Sequence, residues 1–156
     1  MGALRDPGCA VRVEREIRID APPQRVYDVV MDPRRLEDWV TIHDHLEDAP
    51  SGSLKKGSKL TQILKLAGRR FHVRWTVVEN EPCDRVVWEG RGPVGSHAKV
   101  IYDFTNSSNG DYTDFHYTNE YDLPGGPLGR IASRGVARVT QKELDATLQK
   151  LKRITE

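Results

Sequence analysis

Residues 59–78 read KLTQILKLAGRRFHVRWTVV, and the alternation within this stretch decides the fold class. Leu60, Gln62, Leu64 and Leu66 alternate with Lys59, Thr61 and Lys65. After Gly68, Phe71, Val73, Trp75 and Val77 alternate with Arg70, His72, Arg74 and Thr76. A repeat of two belongs to a β-strand, whose successive side chains point to opposite faces. Two such runs separated only by Ala67-Gly68 predict an antiparallel pair with one apolar and one wet face.

The same pattern continues downstream. Val86 and Trp88 stand against Arg85, Val87 and Glu89. Ala98, Val100, Tyr102 and Phe104 stand against His97, Lys99 and Asp103. Phe115, Tyr117, Asn119, Tyr121 and Leu123 stand against Asp114, His116, Thr118, Glu120 and Asp122. The separators Glu81-Pro82, Gly90–Gly95 and Ser107–Gly110 are short and turn-like, so residues 59–123 predict an antiparallel meander of five strands. Upstream, Val11, Val13, Ile17 and Ile19 alternate with Arg12, Glu14, Glu16 and Arg18 as another strand. Asp20-Ala21-Pro22-Pro23 and Asp32-Pro33 read as helix starts, leading into Val26, Val29 and Val30 and into Leu36, Trp39 and Val40. Each helix is only about two turns long and needs a larger surface to rest on. A short strand is expected near His43–Glu47.

Beyond Pro124-Gly125-Gly126-Pro127 the pattern becomes helical to about Arg153, with Leu128, Ile131, Val136, Val139, Leu144, Leu148 and Leu151 as its apolar residues. The stripe slips between Val139 and Leu144, and Gly135 weakens the helix there, so a bend is expected. The class is therefore α+β, with an antiparallel sheet wrapped around a long C-terminal helix. Residues 1–10 lack periodicity and are expected to fray; residues 11–154 read as one domain.

The 24 Lys and Arg of the 156 residues nearly balance 23 Asp and Glu, a net charge of +1 that gives no electrostatic reason for a nucleic acid or anionic membrane partner. The longest uninterrupted apolar run is three residues, Val86-Val87-Trp88 among them, whereas a membrane span needs ~20. Cys9 and Cys83 make no disulfide framework, and a reducing cytoplasm is the expected setting. There is no G-x-S-x-G elbow, P-loop or C-x-x-C, so no catalytic residue and no cofactor is assigned.

Three local patterns were weighed against simpler readings. Gly90-Arg91-Gly92-Pro93-Val94-Gly95 matches G-x-G-x-x-G, but a strand follows where a dinucleotide site requires a helix, so it reads as a hairpin loop that could act as a flap over a pocket mouth. His43-Asp44-His45 places two imidazoles on one side of a strand; a zinc site lacks a clear third ligand, and a solvated loop is the simpler reading. His43 alone could point inward as a proton donor. The glycines before Leu128 open a helix able to hold an anion, although every helix needs such a cap. Lys55-Lys56 and Lys142 with Glu143 read as solvated surface.

The inward face carries the strongest functional signal. Gln62, Trp75, Trp88, Tyr102, Tyr117, Asn119 and Tyr121 lie on it, whereas a closed core favours side chains with no polar atom to desolvate. A buried polar group without a partner costs about 1–3 kcal/mol, so this set predicts a small-ligand site with aromatic walls and two carboxamide anchors. The bland alternative is that each indole and phenol meets a protein partner.

The order Ile19-Asp20-Ala21-Pro22, Val26-Tyr27-Asp28-Val29-Val30, Asp32-Pro33 with Trp39, Trp75-Thr76-Val77-Val78-Glu79 before Pro82, Tyr121-Asp122-Leu123-Pro124 and Gly125-Gly126-Pro127-Leu128-Gly129 resembles the polyketide cyclase/dehydrase and lipid-transport family of the START-like, helix-grip superfamily. The resemblance spans roughly residues 11–154. It implies a curved sheet gripping the last helix with a deep apolar cavity between them. Three functions follow as expectations: a carrier of a small hydrophobic or aromatic ligand such as a lipid or polyketide; a polyketide cyclase, aromatase or dehydratase using Tyr hydroxyls or His43; or a co-chaperone-like interaction module.

Overall fold

A computed structural model describes residues 10–66, 68–122 and 127–156. The expectations for the tail 1–9 with Cys9, for Ala67, for Leu123 and the Pro124–Gly126 exit, and for the helix side chains Leu128, Ile131 and Val136 lie outside the described residues. Strand β1 (Ala10–Ile19) leads to α1 (Pro23–Val30), a 3-10 turn over Pro33–Arg35 and the single-turn α2 (Leu36–Trp39). Then come β2 (His43–Asp48), β3 (Lys59–Leu66), β4 (Arg69–Glu81), β5 (Arg85–Arg91), β6 (His97–Asn106), β7 (Thr113–Asp122) and α3 (Pro127–Thr155). All seven strands form one antiparallel sheet in the order β1-β7-β6-β5-β4-β3-β2. The expected helix-grip α+β architecture is present, with β1 and β2 extending the five-stranded meander at its two edges.

The helix starts behave as their chemistry requires. Pro23 opens α1 at a position where no N–H partner is needed, and Val26, Val29 and Val30 are buried on one side. The Asp32 carboxylate accepts from the Arg34 amide at 3.0 Å, capping the turn that carries Leu36 and Trp39 into the core. The second half of α3 packs on β1, α2 and α1, burying Leu144, Leu148 and Leu151.

Two departures from simple alternation matter. A bulge between Val77 and Glu79 shifts the β4–β5 register, so Val77 faces Trp88 while Asn80 faces Val86. On the outward face, Val87, Ile101 and Thr118 form a cross-strand row and are all buried. The sheet thus has a second small apolar patch on the side expected to be wet. Glu14 stands opposite Thr118, and Glu79 opposite Val87.

Candidate functional site in the concave face

The register assembles the inward face into rows. Leu60, Trp75, Gly90, Ala98, Tyr121 and Val11 make one; Val77, Trp88, Val100, Asn119 and Val13 the next; Asn80, Val86, Tyr102 and Tyr117 a third; Phe104, Phe115 and Ile17 a fourth. Four of the seven expected residues therefore bring rings to one connected surface. Trp75 meets Trp88 edge to face at 6.3 Å between centroids, Trp88 meets Tyr102 at 6.2 Å, and Tyr102 meets Tyr117 at 5.1 Å. Trp39 reaches down from α2 to Tyr102 at 6.1 Å. Such tilted and edge-on contacts are the favoured arrangements of aromatic rings.

In the third and fourth rows Val86, Tyr102, Tyr117, Phe104 and Phe115 are buried, while Asn80 and Ile17 are half buried. Tyr102 and Tyr117 are buried against Phe115, with their ring centroids 5.1 Å apart. Burial pushes the Tyr117 phenol up to about 12, and Tyr102 well above the ordinary tyrosine value, so both remain protonated throughout the physiological range. These residues form the floor of the interior. Tyr121 lies near its other end, half buried, 3.2 Å from the Thr140 hydroxyl of α3.

The second row differs. The Trp88 indole N–H is buried and has no hydrogen-bond partner among the described residues. In the same row, one strand beyond Val100, the half-buried Asn119 carboxamide has no protein hydrogen bond among the described residues. Buried polar groups are nearly always paired, and unpaired ones call for an explanation.

Gln62 is placed by a different logic. Its Oε1 accepts from Trp75 Nε1 at 2.9 Å, and its Nε2 lies 2.8 Å from His43 Nδ1. Three residues from β2, β3 and β4 are thereby joined into one chain of polar contacts at the inward edge of the sheet. Around it lie half-buried apolar side chains: Val40, Leu46, Leu64 and Phe71. His43, Leu64 and Phe71 share one inward row. His45 does not join them. A register shift between the two histidines sets His45 opposite Ile63 on the outward face, where it contacts Asp44 at 2.7 Å. The pair expected on one side of the strand is therefore split across it. Among the described residues no group of three or more His, Cys, Asp or Glu is placed to hold a metal ion.

The opposite face carries an open groove of about 1110 Å³. It runs along two outward rows, one including Arg12, Glu120, Lys99, Glu89 and Thr76 and the other Asp122, His97, Arg91 and Arg74, with the inward row of Trp75 and Tyr121 between them. Charges alternate in sign along the first of these rows, as in the Arg12–Glu120 ion pair, while Arg91 and Arg74 stand opposite each other in the second. Such a lining suits water and ions better than an apolar ligand. The Gly-rich segment is a hairpin connection as expected: Pro93–Gly95 make a 3-10 turn and β6 follows. Gly90, however, belongs to β5, where a Cβ would lie 2.7 Å from the Trp75 ring.

Residues 10–156 match the family described as polyketide cyclase / dehydrase and lipid transport. The chain belongs to this family. As a polyketide cyclase/dehydrase-family member it resembles a START superfamily protein from Mycobacterium smegmatis (TM-score 0.71, 12% identity, 92% of this chain and 96% of that one). It also resembles an aromatase/cyclase from Streptomyces sp. R1128 (TM-score 0.72, 14% identity, 94% and 93%). Among sequences, a Mycobacterium tuberculosis protein named as a toxin is 23% identical over 138 residues, 88% of this chain and 93% of that protein. Family and fold agree, and at 12% and 14% identity the structural likenesses speak for the fold alone. Among the described residues no helix is long and apolar enough to cross a membrane.

Proposed function

We propose that the protein binds a small hydrophobic or aromatic molecule, such as a lipid or polyketide, between the concave face of the sheet and α3. The observation that carries this reading is the row holding Trp88 and Asn119: an indole N–H and a carboxamide on the concave face, separated by Val100 and without protein hydrogen-bond partners among the described residues. A ligand with an aromatic or aliphatic body and a few polar oxygens satisfies both. Trp75 and Tyr121 supply walls, Tyr102 and Tyr117 the floor, and Gln62 and Asn119 the polar anchors. The family's lipid-transport and cyclase members make this class of ligand the natural one.

The test is a tryptophan fluorescence titration with fatty acids, polycyclic aromatic compounds and aromatic ketones, paired with thermal melts. Three tryptophans are present, and Trp75 and Trp88 stand in the proposed wall. Saturable quenching together with a rise in Tm supports the proposal; no quenching and no Tm change with any of these compounds defeats it.

A further inference from the structure

The contacts of Gln62 fix a proton. An indole N–H can only donate, so the Gln62 atom 2.9 Å from Trp75 Nε1 is the carboxamide oxygen. The other end of that carboxamide is then an NH2 group, which also only donates, and it lies 2.8 Å from His43 Nδ1. Nδ1 must therefore present a lone pair, and neutral His43 carries its proton on Nε2. That nitrogen has no protein hydrogen-bond partner among the described residues, and the ring shares an inward row with the half-buried Leu64 and Phe71.

We propose that His43 is a specificity-determining residue of the concave site, a hydrogen-bond donor held in one tautomer by Trp75 and Gln62, and that it selects ligands bearing an uncharged oxygen acceptor, such as a ketone, over hydrocarbons and carboxylates. The inference rests on the ligand-binding reading above. The charges around the ring agree with it. Glu37 on α2 and Asp44 on β2 lie near His43, with the His45 ring beyond, and on α3 the Glu143 carboxylate bonds the neighbouring Thr41 hydroxyl. Two cations, Arg70 on β4 at 3.6 Å and Lys65 on β3, act on Asp44 and leave the Glu37 and Glu143 carboxylates uncompensated by them. A carboxylate ligand would be repelled by this net negative charge, whereas an uncharged ketone would not. Burial also holds His43 below its ordinary pKa, keeping the ring neutral.

Three probes that share one ring system separate the possibilities: 2-ethylnaphthalene, 2-acetylnaphthalene and 2-naphthoate. A neutral hydrogen bond is worth about 0.5–1.5 kcal/mol, so the ketone should bind about 2- to 10-fold tighter than the hydrocarbon, and tighter than the carboxylate. In His43→Phe the ketone-to-hydrocarbon ratio should fall to about one while 2-ethylnaphthalene affinity holds within about twofold. Nitrogen NMR of the unaltered protein at pH 7 should show His43 as the Nε2–H tautomer, with that resonance moving on addition of 2-acetylnaphthalene. Equal binding of ketone and hydrocarbon by the unaltered protein overturns the role of His43 and leaves the ligand-binding reading intact. Failure of all three probes to bind overturns the role of His43, and the ligand-binding reading falls with it only if fatty acids and the other aromatic compounds also fail in the titration above. A proton found on Nδ1, or a protonated ring, overturns the inference whatever the probes do.

Discussion

Replacing Gln62 by Met tests the polar chain without changing the shape of the interior, because the two side chains are close in length and volume. Gln62 is only 6% exposed, and Trp75 only 8%. The substitution leaves the Trp75 N–H buried without an acceptor, a cost of about 1–3 kcal/mol. His43 Nδ1 also loses its donor, but His43 is only half buried, so water replaces much of that contact. For a chain of this size 1 kcal/mol shifts Tm by roughly 2–4 °C, giving a loss of roughly 2–12 °C. Urea denaturation at pH 7 gives the free energy directly. Trp75→Phe completes a double-mutant cycle. If the two groups act through one hydrogen bond, the double variant loses less than the sum of the singles by about 0.5–3 kcal/mol. A Gln62→Met protein as stable as the parent, together with an additive cycle, would refute the assignment of Gln62 as the acceptor for Trp75.

The remaining predictions concern groups at fixed places in the same interior. A Cβ at Gly90 would stand 2.7 Å from Trp75 Cε3 and 2.8 Å from Val73 Cγ1, so Gly90→Ala should cost about 1–3 kcal/mol and alter the near-ultraviolet dichroism of Trp75. Tyr117 has its pKa raised in the fold, so its contribution is complete below pH 10 and disappears as pH rises through about 12. The parent should lose about 2–3 kcal/mol between pH 10 and 12 beyond any loss in Tyr117→Phe. His43 has its pKa lowered, so its contribution is present above its ordinary value and is lost as pH falls. Denaturation series from pH 7 to pH 5 should show a stability decline in the parent that is smaller in His43→Phe.

The fold was largely legible because alternation is a local signal that burial of one face enforces. Each inward residue from Leu60 to Tyr121 lies where its period placed it. Pairing of β1 with β7 was not legible in the same way, since residues such as Val13 and Asn119 are brought together across more than a hundred positions by the whole sheet. Bulges divided by whether they mark the sequence. The apolar doublet Val77-Val78 breaks alternation and signals the β4 bulge, whereas nothing in His43-Asp44-His45 announces the shift that separates the two rings. Gly90 resembled a loop glycine because it opens a Gly-rich motif, yet its absent side chain makes room for the Trp75 ring within β5. The aromatic and carboxamide set was visible as composition. Which of its members form a packed floor and which lack partners depends on cross-strand rows, and only the fold supplies those.

The central claim is that the concave row containing Trp88 and Asn119 takes a ligand. Proton–nitrogen NMR of the indole N–H of Trp88 and the side-chain amide of Asn119, followed while 2-acetylnaphthalene is added, addresses it directly. The account predicts that both signals move and saturate together, with the fluorescence change following the same isotherm. Both signals unmoved while the probe binds would contradict it, because the ligand would then lie elsewhere on the molecule.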